Sequence, residues 1–245
     1  MKLASFSRIT ALLLFGLTTI SPTAKATTID WGTYIGSTSY LFDSDGANLD
    51  DSFFFELGSF GGFTPTEANM TDWAANWKPF DRAEAPTTWI SASGIVASSA
   101  VLETDFTTSN TNLSQLNTFA AGEQAYIWVY KDFAGNPSPS PSYSSNLQWA
   151  LVTNDATDGN AADDWLFPVP SGHIVASLDW RIEDATVSPF GGLNNVEGPG
   201  TYSSTPPEFI LQTHTTSVPE PSSLFLIGTV GSLFAMRRRR YRRYA

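Results

Sequence analysis

Two stretches of the chain are dense in oxygen ligands. Asp43, Asp45, Asn48, Asp50 and Asp51 form the first, and Asn154, Asp155, Asp158, Asn160, Asp163 and Asp164 form the second. Calcium takes about six to eight such oxygens and pins long loops in exported β-domains. Asp43, Asp45, Asp50, Asp155, Asp158 and Asp163 are therefore the candidate ligands of structural calcium. Neither stretch follows the EF-hand spacing: with Asp43 in the first place, Ala47 falls in the fifth and Asn48 in the sixth. Solvated acidic turns explain the same residues, and the sequence leaves both readings open.

A second chemistry rests on the tryptophans, Trp31, Trp73, Trp77, Trp89, Trp128, Trp149, Trp165 and Trp180. A coplanar row of exposed indoles would stack on sugar rings, whereas indoles on alternating strand positions fill a core. Their exposure decides between the two. Other chemistries find little support. The chain has no cysteine, which removes thiol nucleophiles, thiolate metal sites and disulfides. Its two histidines, His173 and His214, are far apart and read as turn or surface residues. No nucleophile elbow, Walker loop or dinucleotide fingerprint is present, so no catalytic residue is assigned and no enzyme is expected.

The third chemistry is recognition by other proteins, and it is written at both ends. Residues 1–26 read as a secretory signal peptide. Lys2 and Arg8 supply the positive start, Ile9 to Ile20 is mostly apolar, and Ala24-Lys25-Ala26 is a small-x-small site that hands Thr27 to signal peptidase as the new N-terminus. At the other end Val218-Pro219-Glu220-Pro221 precedes an apolar stretch from Leu224 to Met236. Arg237, Arg238, Arg239, Arg240, Arg242 and Arg243 follow it. At about 1.5 Å per residue the stretch makes a short membrane helix. The arginines resist translocation, which places everything before Val218 outside the cytoplasm.

This order of Pro-Glu-Pro, short apolar helix and terminal arginine cluster resembles the PEP-CTERM sorting signal of Gram-negative envelope proteins. The resemblance covers residues 218–245. It implies that an exosortase, a membrane-embedded processing enzyme, cuts near the Pro-Glu-Pro and passes the protein on to the cell surface or the extracellular matrix. It also makes exopolysaccharide a candidate partner, since the group is associated with exopolysaccharide producers. An ordinary tail anchor is the rival reading. A weaker similarity to other short PEP-CTERM proteins runs from Phe55-Glu56-Leu57-Gly58 to Asn76-Trp77-Lys78-Pro79-Phe80-Asp81; it implies kinship of fold and transfers no activity.

The intervening residues, 27–217, form one acidic ectodomain. Four basic residues (Lys78, Arg82, Lys131 and Arg181) stand against 23 acidic ones, a formal charge of −19 that the whole-chain value of −11 conceals. Such a surface repels phosphate backbones and excludes nucleic-acid binding. Runs rich in aromatic and β-branched residues predict strands at Ser52 to Phe60, Gln124 to Lys131 and Leu147 to Thr153, with others at Ile29 to Tyr34, Ile90 to Leu102 and His173 to Ile182. Turn residues between them favour a mainly β fold, an antiparallel sandwich or jelly roll. One short helix is expected: Thr64 as N-cap, Pro65 in the first turn, Glu67 closing a capping box, and Met70, Trp73, Ala74 and Trp77 on one face before Pro79 stops it. Ser138 to Ser145 and Thr201 to Pro207 read as loops, and Thr213 to Ser217 reads as a linker to the membrane segment.

Overall fold

The structure is a computed structural model that describes residues 26–36, 39–111, 113, 117–131, 147–155, 163–169, 177–194 and 209–216. The expected membrane helix, both Pro-rich loops and His173 lie outside the described residues, as does the signal peptide up to residue 25. Among the described residues no helix is long and apolar enough to cross a membrane.

In chain order the strands are β1 (Thr27–Gly32), β2 (Ser39–Phe42), β3 (Phe53–Ser59), β4 (Lys78–Ala83), β5 (Trp89–Ile90), β6 (Ile95–Leu102), β7 (Ala125–Lys131), β8 (Gln148–Thr153), β9 (Leu178–Arg181), β10 (Val187–Phe190), β11 (Gly192–Leu193), β12 (Phe209–Gln212) and β13 (His214–Thr215). A single turn of α-helix, α1 (Trp73–Asn76), follows a 3₁₀ segment at Glu67–Asp72. The fold is thus mainly β with one short helix.

The central sheet runs β10-β8-β7-β3-β4 and is antiparallel throughout; β13 shares the far edge of β8 with β10. A second sheet runs β5-β6-β1-β9, and a third runs β11-β12-β2. The expectation of purely antiparallel pairing is corrected in these two, because β1 pairs with β9 and β12 with β2 in parallel. Those partners are separated by long connections, which parallel pairing requires.

The central sheet is buried on both faces. Side chains alternate along a strand, so Ala125, Ile127 and Val129 of β7 and Ala150 and Val152 of β8 enter one cluster, shared with Ile29, Trp31 and Val96 of the second sheet. Trp128 and Tyr130, with Trp149 and Leu151, enter the other, under Met70, Trp73 and Trp77 of the helical segment. Two covered faces explain why these strands read as nearly unbroken apolar runs.

Several boundaries differ from the expectation. The helical segment starts two residues late, with Thr66 as N-cap. Asn69, not Glu67, closes the entry: its Oδ1 accepts from Thr66 N at 2.8 Å and from Trp73 Nε1 at 2.8 Å. A short carboxamide can cap the backbone and orient the indole together, which Glu67 does not do. The helix ends at Asn76, and Pro79 lies inside β4 beside a register shift. Proline is tolerated there because β4 is the edge strand. The long strand expected from Ile90 to Leu102 is broken by a 3₁₀ turn at Ser91–Ser93, ending on Gly94 with φ of 65°.

The linker read at Thr213 to Ser217 is also corrected. Thr213 and Thr216 are fully buried, and His214 and Thr215 pair with Trp149 and Gln148 of β8. Thr216 N donates to Leu147 O at 2.7 Å, and Thr216 Oγ1 accepts from Leu147 N at 3.1 Å. His214 is accordingly a strand residue, its ring edge-on to Phe190 with centroids 5.9 Å apart.

Candidate functional site

Where β4, the edge of the central sheet, meets β6 of the second sheet, two buried polar centres stand side by side. Asp81 and Arg82 are neighbours on β4, so alternation sends their side chains to opposite faces. Asp81 is almost fully buried. Its Oδ2 accepts from Trp31 Nε1 and Ser98 Oγ, each at 2.7 Å, and its Oδ1 accepts from Asn110 Nδ2 at 2.6 Å. One carboxylate thereby ties β4 to β1, to β6 and to the segment after β6.

Arg82 meets Glu56, directly opposite it on β3. The Arg82 Nε donates to Glu56 Oε1 at 2.7 Å and a second guanidinium nitrogen donates to the same oxygen. Tyr130 Oη donates to Oε1 at 3.0 Å, and Trp77 Nε1 donates to Oε2 at 2.6 Å. Gly58 makes room for that indole: a Cβ there would sit 2.6 Å from Trp77 Cζ2. Removal from water pushes the Glu56 carboxyl above the ordinary glutamate range, opposed by the Arg82 guanidinium and the donors from Trp77 and Tyr130. Burial and the adjacent carboxylate also push the Tyr130 phenol well above its usual value.

Between these centres and solvent lies an open pocket of about 320 Å³, lined by Asp81, Arg82, Glu84, Ser98, Ser109 and Asn110 among others. Its wall is polar and its hydroxyls and amide suit a hydrophilic ligand. No indole lines it. The sequence reading missed Glu56, Asp81 and Arg82. The available clue was a lone glutamate between Phe55 and Leu57, with Arg82 as one of only four basic residues in the ectodomain.

The candidates read from the sequence are placed as follows. Asp43 Oδ1 accepts from the amides of Asp45 and Ala47, each at 2.9 Å, and so closes its own turn. Asp50 accepts from Ser52 N at 2.9 Å and lies 3.5 Å from Lys131 Nζ. Serine donors and the lysine hold its carboxyl below the ordinary aspartate value. Asp155 and Asp163 are exposed, and Asp158 lies outside the described residues. Among the described residues no three His, Cys, Asp or Glu side chains converge as a metal site would require. The eight tryptophans are all buried, the most exposed of them, Trp77, at 6%. No exposed stacking row of indoles exists, which corrects that form of the sugar-binding reading: each indole lies on a covered sheet face or in the core.

At the N-terminal side Ala24 is outside the described residues, Ala26 is exposed, and Thr27 opens β1 opposite Leu102. Cleavage after Ala26 would therefore trim the chain flush with its first strand. N-terminal sequencing of the exported protein is expected to begin at Thr27, and a start upstream of Leu17 would overturn the assignment.

At the C-terminal side, Val218, Pro219, Glu220, Pro221 and Arg237 to Arg240 lie outside the described residues, immediately beyond Thr216. A family model described as the PEP-CTERM protein-sorting motif matches residues 217–240. No curated protein and no solved structure matches the chain. The match starts one residue before the boundary read from the sequence and stops at Arg240, so it takes in the Pro-Glu-Pro, the apolar stretch and four of the arginines. The chain carries a PEP-CTERM protein-sorting motif, and that motif marks it as an exported, membrane-anchored precursor processed by an exosortase.

Proposed function

We propose that the protein is a surface or extracellular-matrix component whose β-domain has a structural or interaction role and performs no reaction. In this reading the two larger sheets form a sandwich in kind, signal peptidase removes residues 1–26, and the residues after Val218 serve sorting alone. The observation that carries it is the burial of all eight indoles. The indoles that could have made a ligand platform are spent in the interior, and the domain carries a large excess of acidic residues. A strongly negative domain stays soluble and monodisperse during export. Fractionation of a host with an exosortase tests the reading: the processed form should be recovered at the surface or in the matrix fraction, and retention inside the inner membrane would overturn it.

A second reading, binding of a carbohydrate such as exopolysaccharide, is favoured by the polar pocket beside Asp81 and Arg82. It replaces the stacking row with a hydrogen-bonding wall. A glycan screen on the exported protein, repeated with Asn110→Ala, separates the readings: binding lost in the variant would place the sugar in this pocket, and no binding by either would leave the structural role.

A further inference from the structure

The folded domain leaves no slack before its sorting motif. The motif begins at residue 217, and Thr216, one residue earlier, is fully buried and hydrogen-bonded to Leu147 through both its amide and its hydroxyl. Thr215 and His214 before it are paired with β8. Pro219 stands three residues beyond Thr216, a reach of roughly 10 Å for fully extended chain.

An enzyme that cuts a peptide chain holds it extended, with several residues on each side of the bond. While β13 is docked, only Ser217 and Val218 separate the bonded Thr216 from the Pro-Glu-Pro. The next residues have their backbone committed to the sheet, with Thr216 buried and His214 half-buried.

We propose that β13 must come away from β8 before the motif is cut, so that strand release is the step preceding cleavage. This rests on the sorting reading given above. The release is local: β13 has two residues and lies on a sheet edge, so it breaks the β8 pairing, the two Thr216–Leu147 hydrogen bonds and the His214–Phe190 ring contact. Short edge elements open locally without global unfolding. Thr213 remains as a stop, its amide donating to Phe42 O at 2.9 Å. Peeling from Thr216 back to His214 would give the enzyme three further upstream residues and leave both cores closed. Processing then proceeds only from the detached fraction, and its rate scales with that fraction.

The chain has no cysteine, so an engineered pair would be its only thiols. Gln148 and Thr215 are directly opposite. Opposite residues of an antiparallel pair lie about 4.5–5.5 Å apart at Cα, within reach of a disulfide. Processing of the full chain is followed by immunoblot over time in a host with an exosortase, for the wild type, the Gln148→Cys single variant, and the Gln148→Cys, Thr215→Cys double variant. A fourth form carries six Gly/Ser residues inserted between Thr216 and Ser217. The expected results are loss of processing in the oxidised double variant, recovery on reduction, near wild-type behaviour of the single variant, and several-fold faster processing of the insertion. Wild-type processing of the bridged variant would overturn the proposal and mean that the enzyme works against the docked domain. If thiol titration shows that the bridge has not formed, the insertion decides alone, and an unchanged rate overturns the proposal. A Pro219-Glu220-Pro221 to alanine control separates the two failures: if the wild type is as uncleaved as this control, the sorting reading fails instead.

Discussion

Replacing Pro219, Glu220 and Pro221 by alanines is expected to leave export intact and to abolish processing. The signal peptide, the domain and the apolar stretch all remain, so the chain still crosses the membrane and stops there. What is lost is the Pro-Glu-Pro ahead of the apolar stretch, in which each proline fixes its own φ and disfavours helix at the residue before it. The variant should accumulate as a full-length membrane form. Neutral replacements of Arg237 to Arg240, Arg242 and Arg243 should fail differently. Each arginine resists translocation, and without them nothing holds the short apolar segment in register. That variant should escape the membrane or mislocalise. Immunoblots of fractionated cells distinguish the outcomes. One identical uncleaved membrane band from the wild type and both variants would make the tail a plain anchor.

Arg82→Ala is expected to be the most damaging single charge removal in the domain. Glu56 is buried, and Arg82 supplies two of its donors and its counter-charge. Breaking one partner of a buried pair costs about 3–5 kcal/mol because the remaining charge is uncompensated. For a domain of this size that lowers the melting temperature by roughly 6–20 °C. The deficit should depend on pH. Burial already holds the Glu56 carboxyl above the ordinary glutamate range, against the opposing guanidinium, and removing Arg82 raises it further. A carboxyl raised in the folded state stabilises that state fully below its unfolded pKa, and the advantage is lost as pH rises through the folded value. The gap between Arg82→Ala and wild type should therefore be wide at pH 8 and narrow as pH falls toward the unfolded value. A gap constant across that window would show that lost packing, not the orphaned carboxylate, is responsible. The Glu56→Gln, Arg82→Met double variant should recover most of the loss, since removing both charges together is close to neutral.

The chain's destination was legible because addresses are linear. The Pro-Glu-Pro, the apolar stretch and the arginines act as consecutive residues on partners that meet them as extended or helical chain, so their order in sequence is their meaning. The cores of β3, β7 and β8 were legible for a related reason: aromatic and β-branched residues crowd into runs wherever both faces of a strand are buried. The reading of Thr27 as the new N-terminus uses only the small residues before it and awaits N-terminal sequencing.

Only tertiary structure decided where each alternating set of side chains goes. Local pattern shows that Trp128 and Val129 point apart, but not that one meets Trp73 and the other a second sheet. The tryptophans could therefore be read as a surface or a core until both faces were seen to be covered. Glu56 and Arg82 are 26 residues apart and meet through a register that includes a bulge near Pro79, and no spacing rule anticipates such a contact. Residues 213–216 are polar and looked like a tether. They dock, with Thr213 and Thr216 buried, because β8 has an open edge beside them, and an edge strand's unpaired amides and carbonyls are satisfied by whatever segment the fold brings alongside.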